Sequence, residues 1–149
     1  RDLVEMFHLL KSEQIAAYLF SFNPEPGTVM ENAPRVPIAR TRRIQLVKNL
    51  IESHDLKEEA IEFDDNGAIR SIDAPLELLD RVTNQGVAFM TDGCPDRQGE
   101  MACNRPYGSY RPGEEFRDYP FLPQASDLEV IRGEMELDEV TKTEASAVA

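Results

Sequence analysis

The sequence predicts an α/β domain, read as the last part of a (β/α) TIM-like barrel or open parallel sheet. Three observations point there. Residues 2–12 place Leu3, Val4, Phe7 and Leu10 at helical spacing. They run directly into "IAAYLFSF" (15–22), which is apolar nearly throughout and suits a strand buried on both faces. After a proline-rich loop, a second amphipathic helix is expected over 39–53, with Ile44, Val47, Leu50 and Ile51 as its buried stripe. Helix, buried strand, loop and helix in that order form one unit of a parallel α/β architecture. One such unit cannot close a barrel, so these elements are expected to be its final portion.

The remaining elements follow in order. Pro24 and Pro26 stop the first strand, because proline cannot extend a ladder. Arg40, Arg42 and Arg43 crowd the first turn of the second helix, the wrong end of its dipole for cations, which predicts acidic partners. "AIEFDDNGAIRSI" (60–72) reads as a hairpin turning at Asn66-Gly67. "APLELLDRVTNQG" (74–86) reads as a helix with Pro75 near its start and Gly86 just past its end. "VAFMT" (87–91) is expected as a short strand. Residues 91–123 form a closing loop rich in Cys, Arg and Tyr, too full of Gly and Pro for much regular structure. From 124 to 149 the chain is an acidic tail, expected to be largely disordered.

Composition narrows the partners. The net charge of −12 repels phosphate backbones and argues against nucleic acid. No apolar run approaches the roughly 20 residues that span a bilayer, so no membrane partner is expected. The N-terminus lacks the zones of a signal peptide, and two cysteines are no disulfide scaffold. A reducing, cytoplasmic setting is expected. The first residue is Arg1 and a helix begins at once, which predicts a fragment of a longer chain.

Three features carry possible chemistry. The loop Pro24, Glu25, Pro26, Gly27, Thr28 leaves the carboxyl end of the expected strand, where parallel α/β folds bind ligands. Glu25 can accept hydrogen bonds from a ribose or an amine, and the bland reading is a rigid connector. Cys94 and Cys103, with eight residues between them, can bind a soft metal or a cluster with ligands from elsewhere. Asp92, Asp96, Ser109 and Tyr110 are candidates, whereas His8 and His54 read as structural or surface residues. Two free thiols and a disulfide are the alternatives. Third, Arg105, Tyr107, Ser109 and Arg111 open a run of arginines and aromatics continuing through Phe116, Arg117 and Tyr119. Arginine clamps carboxylates and aromatics cover apolar substrates, or the loop pairs with its own Glu114, Glu115 and Asp118.

Taken in order, "FSFNPEPGTVME", "RTRRIQLVKNLIE", "IEFDDNGAIRSI" and "FMTDGCP…CNRPYGS" resemble the C-terminal half of radical S-adenosylmethionine proteins similar to biotin synthase and the two-component lipoyl synthases. The likeness covers residues 1–123. It implies the later part of a radical SAM barrel, here residues 1–90. It also implies an enzyme in which a 4Fe–4S cluster cleaves S-adenosylmethionine to a 5′-deoxyadenosyl radical. By position, Pro24–Thr28 would lie near S-adenosylmethionine or substrate. Cys94 and Cys103 would be candidates for an auxiliary iron–sulfur cluster, and Ser109 for a further ligand. Arg105, Tyr107, Ser109 and Arg111 would face a small-molecule or lipoyl- or peptide-linked substrate. The family's Cys-x3-Cys-x2-Cys motif is absent. The catalytic cluster therefore belongs to residues outside this chain, on a missing N-terminal half or a partner subunit. The alternative is an accessory module that binds metal or a partner protein through Cys94 and Cys103.

Overall fold

In a computed structural model, residues 1–91, 94–95, 97–98, 101–103 and 117–136 are described. The helices are α1 (Asp2–Ser12), α2 (Ile38–His54), α3 (Leu76–Gln85) and α4 (Ala125–Met135). The strands are β1 (Ile61–Phe63), β2 (Ile69–Ile72), β3 (Cys94–Pro95) and β4 (Met101–Cys103). α2 is the hub. Leu46, Val47, Leu50 and Ile51 are fully buried, against Val4 and Phe7 of α1, Ile72 of the hairpin, Val82 of α3, Phe89, and Ile131 and Met135 of α4. Burial extends around α2 to Arg42, Gln45 and Lys48.

The barrel portion is not what forms. Among the described residues the strands make two separate two-stranded antiparallel sheets, β1–β2 and β3–β4. Residues 15–22 belong to neither; they are irregular chain without strand pairing. Periodicity alone cannot say whether a short apolar run lies in a sheet. A buried parallel strand needs neighbours on both sides, and here the apolar surface of α2 is covered by helices and a hairpin. The hairpin closes over a short loop, which is entropically cheaper than a distant parallel pairing. Residues 87–91 also differ from the expected strand. Val87–Phe89 is a 3-10 turn, and only Met90 makes a bridge, parallel, to Tyr119. The expected acidic tail begins instead with α4, whose start is fixed by reciprocal bonds between Gln124 and Asp127. Residues 137–149 lie outside the described ones.

Local chemistry explains the elements that do match. In the β1–β2 turn, the Asp64 carboxylate accepts from the backbone N–H of Asn66 (2.9 Å) and of Ala68 (2.8 Å), and Gly67 takes φ +71°. The turn is thus wider than the two-residue one expected. Across the ladder, Ser71 donates to its register partner Glu62 at 2.7 Å. α3 ends at Gly86, φ +73°, where an added Cβ would meet Pro123 Cδ at 3.0 Å. At that position glycine supplies both the left-handed turn and the close approach. Asp55 ends α2 in the left-handed conformation, and Leu56 N–H returns to Leu50 O at 3.1 Å. The Lys11 ammonium from α1 donates to Ile51 O there and to Asp55 Oδ1.

Two of the arginines at the start of α2, Arg42 and Arg43, do find acidic partners. Arg42, 0% exposed, donates from Nε to Glu134 Oε2 at 2.7 Å, and from one terminal nitrogen to Gln45 Oε1 at 3.1 Å and to Arg117 O. Its guanidinium carbon lies 5.9 Å from the Phe89 ring centre and 5.6 Å from that of Tyr119. Arg43 donates to Met135 O at 2.9 Å and pairs with Glu136 at 3.2 Å, both at the end of α4. α4 is in this way tied to the start of α2 by two charges.

Two expectations follow. Arg42→Met leaves Glu134 without its guanidinium and the Arg117 carbonyl with the Gln45 amide as its donor, and is expected to cost about 3–5 kcal/mol in urea denaturation, as removal of one partner of a buried pair does. Glu134→Gln keeps an acceptor at a partly exposed position and is expected to cost about 1 kcal/mol. The second concerns pH. Lys11, by hydrogen bond and charge, holds the Asp55 carboxyl below its ordinary value. A depressed carboxylate pKa gives stability that is present above the unfolded-state pKa and lost as pH falls through the folded one. The stability advantage of the native chain over Asp55→Asn is therefore expected to be constant near neutrality and to shrink in acid below the ordinary carboxylate pKa. Denaturation midpoints of both proteins across that range check it.

Candidate functional site

Over residues 17–20 the segment 15–22 alternates in burial with a two-residue period. Ala17 and Leu19 pack on the core, whereas Tyr18 (42% exposed) and Phe20 (65%) turn outward. This is the side-chain alternation of a half-buried strand. A cavity of about 370 Å³ borders the segment at Ile15–Tyr18, and two more are both bounded by Leu19, Gln45 and Asp118. One, of about 350 Å³, is mostly apolar, with Phe20, Phe22, Val36 and Ile44 in its wall and Arg40 at its edge. The other, of about 190 Å³, is polar, with Lys48, Asn49 and Glu52. Lys48 pairs with Glu52 one turn along α2 at 2.9 Å.

The floor between the cavities is a buried polar network that the sequence reading did not assemble. Gln45 Nε2 donates to Asp118 Oδ1 at 2.7 Å and to Arg117 O at 3.0 Å. Arg117, read from sequence as part of a substrate-facing run, instead donates to Thr41 Oγ1 at 2.9 Å. That bond ties it to α2. Tyr119, beside Arg42, has its phenol raised above the ordinary value by burial. The arginine's charge opposes that rise, and Asp127 and Glu134 add to it, so the phenol is neutral at neutral pH. The sequence signal for this centre was the arginine cluster at the start of α2. Nothing in the sequence showed which residues would meet it.

The loop Pro24–Thr28 follows that segment and is exposed from Glu25 onward. It is a turn that closes on itself: Thr28 donates through both its N–H (3.3 Å) and its hydroxyl (2.8 Å) to Glu25 O. Gly27 N–H donates to Glu31 Oε2 at 2.7 Å. Gly27 has φ +80° and no atom within 4 Å of where a Cβ would stand, so its backbone is open to an approaching group. None of Pro24–Thr28 lines any of these cavities.

Cys94 and Cys103 are brought together by the backbone. They are direct register partners across β3–β4, and Pro95 pairs with Met101 after an irregularity. Two soft donors at paired positions suit part of an iron–sulfur ligand set but cannot complete one. Among the described residues, no three His, Cys, Asp or Glu side chains are grouped to hold a metal ion. Asp92, Asp96, Arg105, Tyr107, Ser109, Tyr110 and Arg111 lie outside the described residues. His8 sits on α1 and His54 in the last turn of α2. Among the described residues no helix is long and apolar enough to cross a membrane. No family model, curated protein or solved structure matches the chain.

If residues 17–20 alternate in burial as described, the two faces respond differently to substitution. Leu19→Ala is expected to lower stability by about 1–2 kcal/mol, a partial large-to-small loss. Phe20→Ser is expected to change it by less than about 0.5 kcal/mol. Paired urea titrations decide between this arrangement and one in which both side chains are free.

Proposed function

We propose that this chain is the later portion or a subunit of a radical S-adenosylmethionine iron–sulfur enzyme acting in the cytoplasm. It is inactive without the residues that hold the catalytic cluster. The single observation that supports the reading best is the segment "LFSFNPEPGT". It carries the family-like motif, and around its start the chain presents exposed apolar side chains, Tyr18 and Phe20, the latter in the wall of an apolar cavity. Such a face suits the remainder of the enzyme rather than water. The catalytic 4Fe–4S cluster, when bound by residues outside this chain, supplies the electron that cleaves S-adenosylmethionine to the 5′-deoxyadenosyl radical.

This chain's own residues bind and position. In this reading Glu25 and the open backbone at Gly27 would meet the ribose or amine of S-adenosylmethionine. Cys94 and Cys103 offer two thiolates to an auxiliary cluster, with Ser109 as a further candidate ligand. Arg105, Tyr107, Ser109 and Arg111 are assigned to a small-molecule or lipoyl- or peptide-linked substrate. Sulfur insertion, as in lipoyl and biotin synthases, is the reaction class we place first. The −12 net charge disfavours nucleic acid as a substrate. The pairing of the two cysteines in register also favours a second reading, an accessory module that binds metal through them.

The test combines the chain with the polypeptide or adjoining segment that bears Cys-x3-Cys-x2-Cys, reconstituted anaerobically with iron and sulfide. Reductant-dependent 5′-deoxyadenosine is expected only when both are present. Cys94→Ala and Cys103→Ala are each expected to lower iron and labile sulfide without abolishing S-adenosylmethionine cleavage. Stoichiometric zinc without labile sulfide, and no cleavage in the combined sample, would sink the enzyme reading and leave the accessory module.

A further inference from the structure

Cys94 and Cys103 stand opposite one another in the β3–β4 register. Directly opposed residues of an antiparallel ladder have Cα atoms about 4.5–5.5 Å apart. A disulfide spans Cα separations of about 4.4–6.8 Å. The backbone thus already holds the two positions at bridging separation, with the strands paired. These are the chain's two cysteines, so one intramolecular pairing exists. We propose that Cys94 and Cys103 form a reversible cross-strand disulfide, a modification site set by the surrounding thiol–disulfide balance.

The chemistry balances with a glutathione-type disulfide as oxidant. One cysteine thiolate attacks the small disulfide, forming a mixed disulfide and expelling one small thiolate. The second cysteine thiolate then attacks the protein sulfur of that mixed disulfide and expels the other. Two protein thiols are oxidised, one small disulfide is reduced to two thiols, and the protons of the cysteines pass to the released thiolates. Resting on the reading of both cysteines as cluster ligands, the bond also has a regulatory consequence: while it is closed, neither thiolate can take iron.

The test uses the full chain alone, free of metal, equilibrated with reduced and oxidised glutathione. Native chain is expected to lose two hydrogens in intact mass. Trypsin cuts at Arg97, between the cysteines, so the oxidised chain should yield two peptides joined until reductant is added. Cys94→Ser and Cys103→Ser should each carry one glutathione instead. In denaturant the bridged fraction relative to the mixed disulfide should fall about tenfold or more, because the ladder no longer sets the effective concentration. Glutathione adducts or linked dimers in place of the internal bridge overturn the proposal, as does a bridge equally favoured in denaturant. Neither result bears on S-adenosylmethionine cleavage, which is measured on the combined, iron-loaded sample.

Discussion

The guanidinium of Arg42 is the interaction on which the arrangement depends. It is fully removed from water yet meets Glu134, Gln45, the Arg117 carbonyl and the faces of Phe89 and Tyr119. Four stretches of chain, α2, the turn before β3, residues 117–119 and α4, converge on one charge. A buried cation without this company would cost several kcal/mol. The planar fork of arginine can serve an acid, an amide and a carbonyl at once, which a lysine could not do. Tyr119 is held in addition by backbone bonds with Phe89 and Thr91. The same centre therefore fixes residues 117–119 against α2 and the turn before β3.

Once α2 is enclosed in this way, the segment 15–22 has only one side to bury. Leu19 goes inward against the core and Phe20 is left in solvent. The two cavities at Leu19 are consequences of that incomplete cover. One is apolar because it lies under Phe20, Phe22 and Val36, and the other is polar because Lys48 and Glu52 of α2 bound it.

The cysteines obey a different logic. Gly and Pro are frequent around them, yet β3 and β4 set them in register. Eight intervening residues permit that pairing, but the spacing alone equally permits two unrelated thiols. The backbone chooses the paired arrangement.

The sequence by itself determined the local elements. The spacing of Val4 and Phe7 gave α1, and that of Ile44, Val47, Leu50 and Ile51 gave α2. Pro75 and Gly86 bounded α3, and Asp64 to Gly67 made the hairpin turn. These depend on periodicity and on backbone preferences that a few neighbouring residues settle. The arginines at the start of α2 also announced that acidic partners would come. What only the tertiary structure decided was which surfaces meet. Glu134 and Glu136 were part of an expected acidic tail until α4 carried them to Arg42 and Arg43. Residues 15–22 read as a strand of a barrel until the helices and hairpin occupied the space its neighbours would need. An apolar run records that it must leave water, but what covers it is set by competition among distant segments, which local sequence does not encode.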